Sequence, residues 1–139
     1  MNDYRWLDLH EGLEHRFEAI VTAEMMDAFR AISGDSNPLH ADPAFAMSAG
    51  HPGVVAFGLL TSALYSRLVG VYLPGRFAVL QGIDLDFVKP VFVGEKLIVS
   101  GEIVHLAEAY RRIEMRAKIE NSAGQVVSRA KIRVGLHEH

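Results

Sequence analysis

Residues 58–70, GLLTSALYSRLVG, constrain the fold of this 139-residue chain more than any other stretch. Their composition is typical of a helix, and apolar side chains surround it on nearly every side. A helix of that kind is buried. The wider apolar span, residues 53–71, is interrupted by Thr61, Ser66 and Arg67. It therefore falls short of the roughly 18 uninterrupted apolar residues that a membrane-spanning helix needs.

The chain after this helix is a series of predicted strands. Residues 83–87 alternate apolar and acidic side chains, and residues 112–120 and 129–134 alternate apolar and charged ones. That period of two predicts strands with one buried and one wet face. A further strand is predicted near residues 97–104, and the sequence NSAG at 121–124 predicts a hairpin turn.

Helices are predicted early in the chain. One strand over residues 15–21 precedes a helix that Thr22 caps and that runs to about Ile32, where Gly34 ends it. Asp42 and Pro43 are typical of an N-cap and first helical residue, so a short helix to about Met47 follows. Early helices and late strands predict an α+β fold. The most economical packing is a buried central helix wrapped by a curved antiparallel sheet of about five or six strands.

Composition and charge exclude several classes of function. The net charge of −3 gives no basic patch for nucleic acid or for a membrane surface. The absence of cysteine excludes disulfides, thiolate chemistry and Cys-ligated zinc. The first residues, MNDYRWLDLHEG, are polar and acidic, unlike a signal peptide. We expect one soluble, cytoplasmic domain over residues 1–139.

The loop SGDSNPLHADP at residues 33–43 carries the candidate chemistry. A turn needs Gly, Asn, Asp or Pro, but it does not need a histidine five residues after a carboxylate. Asp35 and His40, joined through Pro38, are spaced so that both can hydrogen-bond one water molecule and act on its protons. Asn37 is suited to bracing the loop. Asp42 is most simply the helix cap.

Gly58 supplies the second candidate element. It lies where irregular chain becomes the apolar helix, so its N–H group is free to bind a carbonyl oxygen that gains negative charge. Ser62 and Ser66 follow on the same helix face. Ser62 is more simply structural, whereas Ser66 is a candidate for the site.

These residues resemble a known family. The sequence SGDSNPLHADPAFA, the Phe57-Gly58 pair with the apolar helix after it, and FVKPVFVGEKL at 87–97 together resemble the MaoC-like (R)-specific enoyl-CoA hydratases. The resemblance covers about residues 15–135, and the D-x-N-P-x-H core is its most specific part. It implies the hot-dog fold, in which an antiparallel sheet wraps a long central helix.

The resemblance also implies a role for each matching residue. Asp35 and His40 correspond to the catalytic acid–base pair, Gly58 to the glycine whose amide binds the thioester carbonyl, Ser66 to a serine near the active-site aspartate, and Asn37 to the loop asparagine. The implied substrate is a thioester of CoA or acyl carrier protein, with no metal and no other cofactor. A homodimer or a dimer of dimers is implied. One departure is Phe57, where the family often has histidine.

Other interpretations remain open at this point. Asp35 and His40 are also compatible with an ordinary turn, Gly58 with close packing, and Ser66 with a bond to a backbone carbonyl one turn back. A hot-dog thioesterase and a catalytically idle acyl-binding or dimerisation module are the alternative functions. His51 is a weak candidate for the rim of the pocket. The arginines of the predicted strands are most simply solvated.

Overall fold

One five-stranded antiparallel sheet dominates the computed structural model, which describes residues 1–138. In chain order the strands are β1 (Glu14–Ile20), β2 (Ala78–Phe87), β3 (Lys96–Ala107), β4 (Arg112–Asn121) and β5 (Val126–Leu136). Their order in the sheet is β1-β3-β4-β5-β2. β1 and β2, which are far apart in sequence, are therefore the two edges. The five predicted strands and their antiparallel pairing are confirmed.

Three α-helices precede β2. They are α1 (Ala23–Ser33), α2 (Pro43–Ser48) and α3 (Gly58–Arg67), and a wider helical turn, Leu68–Tyr72, continues α3. The predicted caps are confirmed. The Thr22 hydroxyl accepts a hydrogen bond from the Met25 N–H group, and Gly34 ends α1 with a φ of 71° in the left-handed region. Asp42 caps α2 by accepting from the first-turn N–H groups.

The inner face of the sheet packs against α3 and its wider turn. Inward side chains of the three central strands are almost completely buried: Leu97, Val99, Ile103, Ile113, Met115, Ile119, Ile132 and Val134. The helix approaches β3 closely at Gly101. A Cβ atom added there would lie 2.7 Å from Cδ2 of Leu68, so a side chain at position 101 would force the Leu68 side chain to shift. This packing is the hot-dog arrangement that the sequence resemblance implied.

Burial of α3 is one-sided in the single chain. Thr61, Ser62, Leu64 and Tyr65 are buried, whereas Leu59 remains 62% exposed. Ala63, Ser66 and Arg67 are exposed with it. The sequence predicted burial on nearly every side. The difference arises because one sheet can cover only one face of a helix.

The outer face of the sheet is charged, as the alternation predicted. Arg116 lies opposite Lys131, and Lys118 lies opposite Arg129. Like charges directly opposite one another in a sheet are destabilising. Acidic side chains offset this repulsion: Arg116 pairs with Glu102 at 3.7 Å, and Lys118 pairs with Glu120 at 2.8 Å. Elsewhere on the same face Arg133 pairs with Asp84 at 3.4 Å.

The N-terminal segment contributes to the core, which the sequence analysis did not predict. Trp6 is buried in a short 3₁₀ turn, Trp6–Asp8. The main-chain N–H group of Trp6 donates to a carboxylate oxygen of Glu138, and the Cζ atom of Arg111 lies 5.2 Å from the centroid of the indole ring. No helix among residues 1–138 is long and apolar enough to span a membrane.

Candidate active site

The loop between α1 and α2 is held by its own polar side chains. The Ser33 hydroxyl accepts from the Asp35 N–H group at 3.1 Å and donates to the Phe29 carbonyl at 2.8 Å. Asp35 Oδ1 accepts from the Asn37 N–H group at 3.0 Å, and Asn37 Oδ1 accepts from the Leu39 N–H group at 2.9 Å. Each bond spans two to four residues. The loop therefore has a defined shape although its side chains are exposed.

His40 ends the short 3₁₀ turn Pro38–His40 and is half-buried. Its Nδ1 atom lies 2.7 Å from the Val55 carbonyl oxygen. Because a carbonyl oxygen can only accept, the neutral ring must carry its proton on Nδ1, which leaves Nε2 with the lone pair. The ring lies against Phe57, with ring centroids 4.3 Å apart and the planes tilted by 31°.

One open cavity of about 270 Å³ brings His40 and Gly58 together. Its other lining residues are mostly apolar and come from three parts of the chain: Val55, Ala56, Thr61, Phe87, Val88, Lys89, Pro90, Val91 and Val127. Gly58 is the first residue of α3, where the N–H groups have no partner within the helix. The cavity thus combines a proton acceptor, a free main-chain donor and an apolar wall.

Phe87 is the closest neighbour of the glycine in this cavity. A Cβ atom added at Gly58 would lie 3.0 Å from Cε1 of the Phe87 ring. The absence of a side chain at position 58 therefore lets the Phe87 ring lie close to the main chain at the start of α3.

The remaining candidate residues lie outside this group. Asp35 and Asn37 are exposed and do not line the cavity, and among residues 1–138 no hydrogen bond joins Asp35 to His40. Ser66 is exposed on the uncovered face of α3. Ser62 donates to the Gly58 carbonyl at 2.8 Å, a structural bond of the kind expected for it. His51 does not line the cavity, and its ring centroid lies 6.2 Å from that of Phe92.

A larger depression of about 630 Å³ lies on the outer face of the sheet. Its walls are charged side chains of both signs, including Asp86, Glu102, Arg116 and Lys131. Neither His40 nor Gly58 borders it. We assign the site to the smaller cavity because it contains the free imidazole nitrogen and the free amide. Residues 1–138 contain no cluster of three His, Cys, Asp or Glu side chains that could hold a metal ion.

Tyr65, a side chain with a raised pKa, lies in the core and does not line the cavity. The Tyr65 hydroxyl and the Ser128 hydroxyl are 2.7 Å apart, and both residues are about 1% exposed. Burial raises the pKa of Tyr65 to about 12, although the hydrogen bond from Ser128 favours the charged form. Tyr65 thus fixes α3 to β5 as a neutral hydrogen-bonding group.

The sequence of the whole region matches a known family. The family model described as MaoC like domain matches residues 8–125, which include the loop, α3 and four of the five strands. The chain belongs to the MaoC-like domain family.

Two relatives of this MaoC-like chain are named as a hydratase and a dehydratase of CoA thioesters. The (R)-specific enoyl-CoA hydratase of Aeromonas caviae is 38% identical over 100 residues, covering 72% of this chain and 75% of that protein. The 3-hydroxybutyryl-CoA dehydratase of Methylorubrum extorquens is 32% identical over 108 residues, covering 78% and 69%. The solved structure of the (R)-hydratase from A. caviae superposes with a TM-score of 0.89 at 32% identity, covering 93% of this chain and 98% of that one. The predicted family and hot-dog fold are confirmed.

Three members of this MaoC-like site were missed by sequence reasoning. The Val55 carbonyl that orients His40 is a main-chain group and leaves no trace in the residue type. Phe87 was assigned only to a strand, although its position at the end of β2 places it over Gly58. Phe57 was noted as a departure, and its adjacency to Gly58 was the one available indication that it would contact the site.

Proposed function

We propose that this chain catalyses the reversible hydration of trans-2-enoyl thioesters to (R)-3-hydroxyacyl thioesters. The observation that carries the proposal is the shared cavity of His40 and Gly58, in which the imidazole has Nε2 free and the glycine has its amide free. Asp35 lies five residues before His40 on the same braced loop. The names of the relatives describe the same chemistry in both directions.

The reaction needs an activated water and a site for developing charge. The water oxygen bonds to C3 of the enoyl group while Asp35 and His40 take up a proton from the water. The C2–C3 π electrons move towards the thioester carbonyl, whose oxygen becomes enolate-like. Carbon C2 then receives a proton from the same acid–base pair. The reverse sequence removes water from the 3-hydroxyacyl thioester.

Gly58 stabilises the enolate-like oxygen. A main-chain N–H group at a helix N-terminus points at the oxygen and adds the favourable end of the helix dipole. Such a donor typically lowers the barrier by roughly 3–4 kcal/mol. Val55, Phe87 and Val91 give this contact apolar walls.

The substrate carrier in this proposal is CoA or acyl carrier protein. Both present the acyl group as a thioester on the same type of flexible arm, and the open mouth of the cavity includes the exposed Lys89. That lysine offers a positive charge to an anionic carrier. A cytoplasmic location and a single domain over residues 1–139 stay predictions.

We also propose that the chain acts as a homodimer, or as a dimer of dimers. β2 is an edge strand, and it exposes Val79, Leu80 and Phe87. Such an edge invites pairing with a second copy. Pairing there would cover apolar surface, and residues of both copies would line each pocket, Ser66 among them. Light scattering should report two or four times the monomer mass at micromolar concentration, and a monomer would refute this part of the proposal.

The activity is tested by following the absorbance of crotonyl-CoA. Hydration removes the conjugated enone band without releasing a thiol, and Asp35→Asn should abolish that loss. Release of free thiol would instead indicate the thioesterase alternative. If neither signal appears with crotonyl-CoA or with crotonyl-acyl carrier protein, the idle binding module is favoured and the proposed function fails.

A further inference from the structure

Arg30, on the last turn of α1, contacts the candidate base without entering the cavity. Its Nη2 atom donates a hydrogen bond to the main-chain carbonyl of His40 at 3.1 Å. Its Nη1 atom donates to Asp27 Oδ1 at 3.0 Å. Arg30 does not line the cavity. The side chain therefore reaches from the helix to the backbone of the residue whose ring faces the site.

The same guanidinium also lies over the ring against which His40 packs. The Arg30 Cζ atom is 5.8 Å from the centroid of Phe57, within the usual range of a cation–π contact. On the same aromatic ring, His40 lies at 4.3 Å and Phe29 at 4.8 Å. Arg30 thus contacts both the main chain and the stacking partner of His40.

The imidazole itself has few other restraints. Its only hydrogen bond among residues 1–138 joins Nδ1 to the Val55 carbonyl. That bond holds only while the His40 backbone stays where the ring can reach Val55. A shift of the backbone carbonyl would lengthen the Nδ1 bond and free the ring to adopt the other tautomer.

The guanidinium of Arg30 is partly buried where α1 meets the loop. The Nε atom of Arg30 is buried and has no hydrogen-bond partner among the described residues. An unsatisfied buried donor is costly. A guanidinium is nevertheless suited to this position because its planar fork can reach two acceptors while its face covers an aromatic ring.

We propose that Arg30 is a positioning residue that keeps His40 in the Nδ1–H tautomer and so keeps Nε2 available to the substrate water. The expected effect of Arg30 on turnover rests on the proposed function, whereas its effect on the His40 tautomer does not. Arg30 acts through His40 and Phe57 and does not touch the reacting atoms.

The tautomer is measured directly by ¹⁵N NMR of histidine-labelled protein. Signals of His40 are assigned by their loss in His40→Ala. In the wild type, at a pH where the ring is neutral, the Nδ1 shift should be that of a protonated nitrogen and the Nε2 shift that of a bare one. Arg30→Met keeps the aliphatic stem but removes every donor. In Arg30→Met the Nδ1 and Nε2 chemical shifts of His40 should move towards each other, because the two tautomers mix.

Kinetics on crotonyl-CoA then separate positioning from simple structural support. Arg30→Met should lower kcat about fivefold to tenfold with KM within about twofold, because the base is misplaced by a fraction of an ångström. Arg30→Lys retains a donor for the His40 carbonyl and should recover most of kcat. Asp27→Asn is the matched control. It weakens the exposed Arg30 ion pair but leaves the bond to His40 intact, so kcat and the ¹⁵N shifts should not change.

Each result has a defined meaning. Unchanged ¹⁵N shifts in Arg30→Met, or a wild-type His40 that is protonated on Nε2, would overturn the proposal. If Arg30→Met does not fold, Arg30→Gln, which still offers one donor, replaces it, and it should give a smaller shift of the same sign. A tautomer change in a protein that hydrates no enoyl thioester would refute the proposed function and leave the positioning role standing.

Discussion

The loop at residues 33–42 and the buried pair Tyr65–Ser128 both depend on side-chain hydrogen bonds, but in opposite ways. Bonds in the loop join residues two to four positions apart, and their side chains remain in contact with water. The core bond joins residues 63 positions apart and is shielded from water. A polar group in water that loses its partner bonds to water instead, whereas a buried one pays the full desolvation penalty.

Because of this contrast, the two regions should affect different measurements, the turnover rate and the free energy of unfolding. The exposed loop fixes the position of Asp35 without relying on burial, so its carboxylate can be changed with little effect on folding. Tyr65 and Ser128 do not line the cavity but hold α3 against β5. Changes to the loop should therefore appear in turnover, and changes to the core pair should appear in the free energy of unfolding.

The largest effect is expected from the acid–base pair. Asp35→Asn keeps an oxygen that can accept from the Asn37 N–H group, yet it loses the base. His40→Ala loses the imidazole. Each should lower kcat by roughly 10²–10⁴ on a 2-enoyl thioester, and the double variant should be scarcely worse than either single one.

Melting curves supply the control for this cycle. Asp35→Asn should change the free energy of unfolding by no more than about 0.5 kcal/mol. His40→Ala should cost about 1 kcal/mol, because it also loses the bond to Val55. Near-wild-type turnover in both single variants would move the active site away from this loop.

The next effect concerns the room beside Gly58. Gly58→Ala keeps the amide but adds a methyl group about 3 Å from the Phe87 ring. We expect kcat/KM to fall roughly a hundredfold because the substrate carbonyl is displaced. Stability should change little, since Phe87 is more than half exposed and its ring can move. The double variant with Phe87→Leu should recover part of the activity, and a lack of recovery would contradict the steric explanation.

A smaller effect, on stability alone, is expected in the core. Tyr65→Phe leaves the buried Ser128 hydroxyl without its partner and should lower the free energy of unfolding by about 1–2 kcal/mol. Adding Ser128→Ala should restore part of that loss. Urea unfolding measures both variants. If Tyr65→Phe lowered kcat without changing the free energy of unfolding, the core pair would be acting on turnover, contrary to this prediction.

The raised pKa of Tyr65 predicts that the stability of the fold depends on pH. Its pKa is about 12 in the folded chain and 10.0 in the reference state. Below pH 10 the tyrosine is protonated in both states and contributes nothing to the slope. Above pH 10 the unfolded state loses the proton first, so stability should fall as the pH rises towards 12. Tyr65→Phe should flatten this part of the profile, and an unchanged slope would assign it to other groups.

The smallest effect is expected on the outer face of the sheet. Arg133→Gln removes the 3.4 Å pair with Asp84, both partners of which are substantially exposed. We expect a change of at most about 0.5 kcal/mol in unfolding free energy and none in kcat. A large change at this position, measured by urea unfolding at low and high salt, would show that the charged network is not a simple solvated surface.

The local elements could be predicted from the sequence because their signals are local. Thr22 and Gly34 bound α1, Asp42 and Pro43 start α2, and alternation defines the late strands. Strand order was not predictable in the same way. β1 pairs with β3 and β2 with β5, and these pairings depend on long-range packing that period-two alternation does not encode.

The candidate site was predictable in part, because some of its signals are also local in the sequence. Asp35, Asn37 and His40 belong to one short motif, and Gly58 marks a helix start. The contact of Arg30 with the His40 carbonyl instead requires α1 to fold back on the loop. Phe87 meets Gly58 only because β2 ends beside α3. Both contacts depend on how separate elements pack against one another, and no spacing rule in the sequence reports them.

The close contact between Gly101 and Leu68 restricts the evolutionary paths open to this fold. An alanine at 101 would place its methyl group 2.7 Å from a leucine that has no exposed surface. A smaller residue at 68, introduced first, would leave a cavity in the core. We expect each change alone to destabilise the fold, while the pair together conserves volume. We expect strong epistasis between these two positions, so that lineages rarely leave the glycine–leucine combination one substitution at a time.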